Sequence, residues 1–178
     1  MDIPILETPR LRLREFRDTD FPAYAAMMGD PDVARHLADG RPLTPVEAWR
    51  QMAVFAGHWV LRGFGVWAVE ERATGRFIGR IGCFYPEGWP DFEIAYTLDR
   101  PAWGRGYATE GAARALDYAR TVLGRRDICS VIRPANEGSK RVATKLGATL
   151  AETVEFYGAP ALIYRYPVVH PAAGTAPT

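Results

Sequence analysis

The sequence predicts a single mixed α/β layer sandwich, of the α+β kind, on a largely antiparallel sheet. Three observations carry this. The predicted elements run strand, two helices, three strands, helix, strand, helix, two strands. Two strands in the middle of the chain are joined by a short turn, as antiparallel neighbours are. No repeat or linker divides the 178 residues, a length that suits one domain with a real core. The expected domain covers residues 1–168, and residues 169–178 read as a disordered tail with nothing to bury.

The first strand is "RLRLREF". Leu11, Leu13 and Glu15 alternate with Arg10, Arg12 and Arg14, which predicts a strand with one wet face or an edge strand. A helix follows from about Phe21 to Met28, with Asp18 or Asp20 as N-cap and Gly29 as stop. "DPDVARHLADGRP" reads as a loop or a broken helical turn. Thr44, Pro45 and Glu47 form the clearest helix start in the chain, a capping box with proline in the first turn.

"FGVWAVEE" and "FIGRIGCFY" are the hairpin strands around "RATGR". In "FEIAYTL", Phe92, Ile94, Tyr96 and Leu98 alternate with Glu93, Ala95 and Thr97. Beyond a glycine-rich stretch, Ala108, Ala112, Ala115, Leu116, Ala119, Val122 and Leu123 fall on one helical stripe. Its small residues let that helix lie close to a sheet. "DICSVI" is a short buried strand. The next helix opens at Asn136 and stops at Gly147. "TLAETVEF" and "ALIYRYPV" are two last strands around "YGAP".

Composition excludes several classes. The net charge of +1 gives no broad pull toward nucleic acid or anionic lipid, so neither partner is expected. No apolar run approaches ~18 residues, and the N-terminus lacks the layout of a signal peptide. Cys83 and Cys129 match no metal or redox spacing and read as reduced residues of a cytoplasmic core. His36, His58 and His170 are scattered, so no metal site is expected. Ser130 and Ser139 are the only serines, and neither lies in a nucleophile elbow.

The stretch "DRPAWGRGYATEGA" sets Gly104 and Gly106 where a helix begins. A strand, a glycine turn and a helix in succession make an anion site. The first helical N–H groups have no intrahelical partner, and the dipole makes that end partly positive. Glycine removes the Cβ atoms that would hold a phosphate off, and Arg105 adds a charge. A plain tight turn is the competing reading. A Walker loop is excluded because no Gly-Lys-Ser/Thr closes it. A dinucleotide fingerprint would put its third glycine at Thr109, in a loop that follows antiparallel strands.

"IAYTLDRPAWGRGYATEGAARAL" resembles the acetyl-CoA loop of the GNAT superfamily of N-acyltransferases, most of all its Rim-type branch, which acetylates ribosomal-protein N-termini. The signature stands as Trp103, Gly104, Gly106, Tyr107, Ala108, Thr109 and Glu110. A second signature stands as Asn136, Ser139, Lys145 and Gly147. The opening "TPRLRLREFRDTD" and "GDPDV" are similar too, so the resemblance runs from about Thr8 to Tyr166. Many superfamily members place a tyrosine two residues before the lysine, as acid for the leaving thiolate; Ala143 stands there instead.

The resemblance implies the GNAT fold, a twisted, mostly antiparallel sheet with helices on both faces. It implies acetyl-CoA as cosubstrate, no metal, and a primary amine as acceptor: a protein N-terminus or a small molecule. The loop of Trp103, Gly104, Arg105, Gly106, Tyr107, Ala108 and Thr109 would hold the pyrophosphate. Backbone groups of Tyr96, Thr97 and Leu98 would pair with the pantetheine arm, Asn136 would touch it, and Ser139 would lie near the sulfur.

Attack by an amine needs a base, since the amine is mostly protonated at pH 7. Glu93, an acid on an otherwise apolar strand, is the candidate; the competing reading is a salt bridge to Arg80 or Arg100. Ser139 is the second catalytic candidate, as hydrogen-bond donor to the thiolate. Asn136 and Ser139 could equally serve only the helix start. Tyr85, Tyr96, Tyr157 and Tyr164 are other possible donors. The acceptor pocket would be built by "GDPDVARHLADGRP", the helix after it, and "YGAP". Asp30, Asp32 and Asp39 could draw a polycation there or simply be a solvated acidic loop. An acyl-CoA-binding regulatory domain without turnover is the alternative function. The oligomeric state is left open, a homodimer included.

Overall fold

Eight strands form one sheet in a computed structural model, which describes residues 2–37 and 40–168. In chain order they are β1 (Leu6–Glu7), β2 (Leu11–Arg14), β3 (Val66–Glu71), β4 (Arg76–Phe84), β5 (Glu93–Leu98), β6 (Cys129–Ile132), β7 (Thr149–Phe156) and β8 (Ala159–Arg165). The order across the sheet is β1-β2-β3-β4-β5-β6-β8-β7. Only the β5–β6 contact is parallel. The helices are α1 (Phe21–Gly29), α2 (Pro31–Ala34), α3 (Pro45–Arg62), α4 (Tyr107–Thr121) and α5 (Glu137–Lys145). The expected tail, Asp39 and His170 lie outside the described residues.

Two apolar clusters sandwich the sheet. Residues of α4 such as Ala112, Ala115, Leu116 and Ala119 pack on one face with Leu11, Leu13, Ile78, Ile81 and Ile94. On the other face Tyr24, Met27 and Met28 of α1, with Met52 and Phe55 of α3, pack against Val66, Ala68, Phe77 and Phe84. The alanine stripe lets α4 come very close. A Cβ on Gly111 would stand 2.4 Å from Cδ1 of Ile81, inside any allowed contact.

Several expectations are corrected. β1, too short to show a period, pairs outside β2, so β2 is not an edge. Its arginine face is not uniformly wet: Arg14 is 3% exposed and bound to Asp20 and Glu70. Asp20 precedes α1 but makes no side-chain cap, because its carboxylate is committed to Arg14. Residues 31–34 bear out the broken helical turn, one of the two readings of that segment: a short helix, with Asp30 accepting from the N–H of Asp32 at 2.8 Å. The capping box at Thr44 and Glu47 is present.

Candidate active site

The sheet opens at the junction of β5 and β6. Their pairing is confined to Glu93 opposite Cys129, and beyond it the two strands diverge. Carbonyls of Phe92, Ile94 and Leu98 point to the β6 side, where the Cys129 N–H, Ser130 Oγ and Trp103 Nε1 take them. Strand alternation puts the N–H and C=O of Tyr96 on that same side. No hydrogen bond among the described residues takes them.

Two cavities of about 480 Å³ each open on this gap. The first runs from Tyr96, Thr97 and Leu98 past Trp103–Thr109 to Asn136, Ser139, Arg141 and Lys145 on α5. The second lies under α3 and the β7–β8 turn, lined by Gln51, Phe55, Arg80, Phe84, Trp89, Glu93, Arg133, Phe156 and Tyr157 among others. His36, Leu37, Tyr96, Thr97, Asn136 and Ser139 line both. The segments expected to build an acceptor pocket do line the second cavity.

The glycine turn is an anion cradle in form. Gly104 and Gly106 have φ of +73° and +80°, the left-handed region that favours glycine. Gly106 is the N-cap of α4 and offers no side chain. The six N–H groups from Gly104 to Thr109 donate to no acceptor among the described residues. Such a row of open donors at a helix start suits a diphosphate.

The Arg105 side chain is turned to other partners. Its guanidinium pairs with Glu71 at 3.0 Å and lies over the Tyr107 ring, as that of Arg10 does. Tyr107 completes the lock by donating its hydroxyl to Glu71 at 2.6 Å. The cations that do line the first cavity are Arg35, Arg141 and Lys145. Arg141 and Lys145 sit one helical turn apart on α5, and that i, i+4 spacing was the available signal. The Leu98 carbonyl is held by Trp103 at 2.8 Å, which anchors the Trp103 ring to the strand and closes that acceptor.

Asn136 caps α5 through Oδ1, which accepts from the Ser139 N–H at 3.0 Å. The capping role therefore exists, and both residues line the gap as well. The Tyr96 hydroxyl donates to the Ser139 carbonyl at 3.0 Å. Burial raises the Tyr96 pKa well above the ordinary phenol range, so the hydroxyl stays protonated. Ala143 is fully buried, with no donor to offer.

Glu93 is 7% exposed in the wall of the second cavity. It makes no salt bridge among the described residues: Arg100 is engaged with Asp30 and Asp32, and Arg80 acts on it only through its charge. Its Oε2 accepts from Trp89 Nε1 at 2.6 Å and its Oε1 from the Val131 N–H at 3.2 Å. The carboxylate thus fills the wedge where β5 and β6 part. Burial raises its pKa, while the Trp89 and Val131 hydrogen bonds and the Arg80 charge hold it down. Trp89 sits in the loop "PEGWPD", where no sequence pattern marked it.

Both cysteines are buried, and burial pushes the Cys83 thiol up to about 12. Neither is a nucleophile at neutral pH. Among the described residues no group of histidines, cysteines or acids could hold a metal ion, and no helix is long and apolar enough to cross a membrane.

Comparison with known proteins agrees with this geometry. A model of the acetyltransferase (GNAT) domain matches residues 10–149. YkkB of Bacillus subtilis is 32% identical over 167 residues, covering 89% of this chain and 93% of YkkB. The crystal structure of an acetyltransferase from Agrobacterium tumefaciens, 32% identical, superposes with a TM-score of 0.84 over 93% of this chain and 95% of its own. RimL, a ribosomal L7/L12 α-N-protein acetyltransferase solved with coenzyme A, shares the fold at 16% identity, with a TM-score of 0.76 over 93% of this chain and 98% of its own.

Proposed function

The chain belongs to the GNAT acetyltransferases, and on that premise we propose that it moves an acetyl group from acetyl-CoA to a primary amine, on a protein N-terminus or a small molecule. The observation that carries this reading is the meeting of two cavities at the parted β5–β6 junction. One has the donors for a long anionic cosubstrate. The other has a buried carboxylate for a protonated amine.

In this reading the N–H groups of Gly104–Thr109 hold the diphosphate. Arg141 and Lys145 on α5 supply the positive charge that Arg105 does not. The open N–H and C=O of Tyr96 pair with the pantetheine arm, along a strand edge that no other strand covers. Asn136 and Ser139 stand at the thioester end. Thr97 and Leu98 shape the groove through their side chains, the Leu98 carbonyl being taken.

Acetyl-CoA supplies the activated acetyl group. Glu93 removes a proton from the ammonium, so that the neutral nitrogen attacks the thioester carbonyl carbon and the carbon–sulfur bond breaks. A carboxylate has about four lone-pair sites, and Trp89 and Val131 use two. The nitrogen then loses its second proton, which ends on the departing thiolate, and Tyr96 or Ser139, two of the hydroxyls that line both cavities, hydrogen-bonds or relays to that sulfur.

The test is ligand-specific stabilisation and turnover. Coenzyme A at about a hundred times its dissociation constant should add ~2.7 kcal/mol and raise the melting temperature, and NAD should not. Thiol release from acetyl-CoA should require an amine. Gly106→Val should abolish the coenzyme A shift, because φ of +80° resists a branched residue and its Cβ would enter the cradle beside Arg10. Equal shifts with NAD and coenzyme A would remove the assignment. A coenzyme A shift without thiol release for any amine would instead favour a domain that binds without turnover.

A further inference from the structure

One cation in the acceptor cavity has no counterpart. Arg80 projects from the middle of β4 in the run "FIGRIGCFY" and is 8% exposed. It makes no ion pair with any described residue, and its Nε is buried with no hydrogen-bond partner. Its guanidinium lies over the Phe55 ring, 4.8 Å from the centroid. Its guanidinium is a hydrogen-bond neighbour of the Tyr24 hydroxyl, and its charge acts on both Tyr24 and Glu93, neither of which forms an ion pair with it. A buried polar group left unpaired costs free energy, and a charge costs more. Such a group persists where something else completes it.

The position of Arg80 says what completes it. Arg80 faces Thr97 directly across β4 and β5, and Thr97 lines the gap where the cavities meet. Glu93 lies on the same face of β5, four residues back. The other charged groups on the cavity wall are Arg50 and Arg133, positive, and Glu87, an exposed acid 3.4 Å from Arg62. His36 also lines it, with burial and the neighbouring Arg35 lowering its pKa toward the neutral form. The cavity wall is therefore cationic apart from Glu93 and the exposed Glu87, with its most buried cation next to the reaction centre.

We propose that the acceptor is an amine that also carries a carboxylate, a small amino acid, and that Arg80 binds the carboxylate while Glu93 takes the proton from the amine. The proposal rests on the reading of this cavity as the acceptor site. The guanidinium lines the cavity, and its donors match a planar carboxylate. Asp30 and Asp32 are already paired with cations of this chain: Arg100 holds Asp30 at 3.3 Å and Asp32 at 2.9 Å, and Arg35 holds Asp32 as well.

The experiment compares common L-amino acids, their α-amides and the amines that lack the carboxylate, each with acetyl-CoA. Wild type should favour at least one acid over its amide by about a hundredfold in kcat/KM, the size expected when a buried charge loses its partner. In Arg80→Met that ratio should collapse toward one, and Arg80→Lys should keep part of it. A wild-type preference for amides or for amines without the carboxylate would overturn the proposal. So would an equal loss on acid and amide in Arg80→Met with an unchanged melting temperature. A second readout needs no turnover: an N-acetyl amino acid matching the preferred acid, or each of the panel if none turns over, should stabilise wild type and not Arg80→Met. Failure of that arm for every compound counts against Arg80, while failure of acetyl transfer to every amine, with this arm intact, counts against the acetyltransferase reading alone.

Discussion

Arg14 and Arg80 lie in one row of the sheet and have opposite surroundings. The row runs Arg14, Ala68, Arg80 and Thr97 across β2 to β5. Both arginines are buried. Arg14 donates to both oxygens of Asp20 at 2.7 and 2.8 Å and to Glu70 at 2.8 Å. Those bonds raise its pKa beyond its ordinary value, so it is a permanent cation in a closed cluster. Arg80 has an aromatic face, the Tyr24 hydroxyl, an acid that feels only its charge and a buried Nε without a partner. The same side chain at the same depth is structural where carboxylates close around it and available for a ligand where a cavity does. The fold spends two acids on Arg14 and none on Arg80.

The largest expected effect would break this contrast if it failed. Arg14→Met leaves Asp20 and Glu70 buried without their cation, a change that costs about 3–5 kcal/mol. Arg80→Met removes a cation that no acid was paired with, and should leave the denaturation midpoint unchanged or raised. Urea unfolding of the two variants beside wild type reads both. If Arg80→Met loses as much stability as Arg14→Met, Arg80 is a structural ion.

Glu93→Gln sharpens the contrast from the other side. If Glu93 were the counter-ion of Arg80, removing its charge would destabilise the fold. As the general base, its loss should lower turnover by ~10²–10⁴ and leave the coenzyme A shift in place. Its raised pKa fixes the sign of two pH effects. The folded state favours the protonated form, so the carboxylate's contribution to stability is fully present below the unfolded value near 4.5 and is lost as pH rises through the folded pKa. Turnover moves the opposite way, rising with pH through that same raised pKa, and the Gln variant should regain rate at high pH where the amine is already neutral. A uniform loss across pH would make Glu93 a positioning group.

These contrasts also mark what the sequence made readable. The glycine cradle, the α5 cap and Glu93 were legible because each is a local pattern: a strand running into glycines and a helix, an asparagine three residues before a serine, an acid among apolar neighbours. The order of helices and strands was legible from periodicity for the same reason. Arg14 was misread as solvent-facing, because its partners Asp20 and Glu70 are set by the register with β3 and by the turn before α1. The Arg105 guanidinium pairs with Glu71, which lies 34 residues away in sequence and beside it only through the sheet, so the sequence shows the charge but not that partner. Trp89 and the vacant Nε of Arg80 were invisible, since a partner and the lack of one are both long-range facts.

The smallest effect lies at the exposed end of the same scale. Arg41 grips Glu47 at 2.6 and 3.1 Å, and Glu47 closes the capping box by accepting from the Thr44 N–H at 2.8 Å. The Arg41 and Thr44 hydrogen bonds lower the Glu47 pKa to about 2. That contribution to stability is present above the unfolded value near 4.5 and is lost as pH falls through about 2. Solvent and salt screen an exposed pair, so the ionic part should be small and should shrink further in high salt. Thr44→Ala, which removes the side-chain cap itself, should cost ~1 kcal/mol at neutral pH. Glu47→Gln should cost less than that at neutral pH and almost nothing near pH 2, where wild type has lost most of that contribution too. Melting curves at the two pH values separate the outcomes. A Glu47→Gln loss as large as that of Arg14→Met would mean that burial is not what separates a structural ion pair from a solvated one in this fold, and the reading of Arg80 by its depth would fall with it.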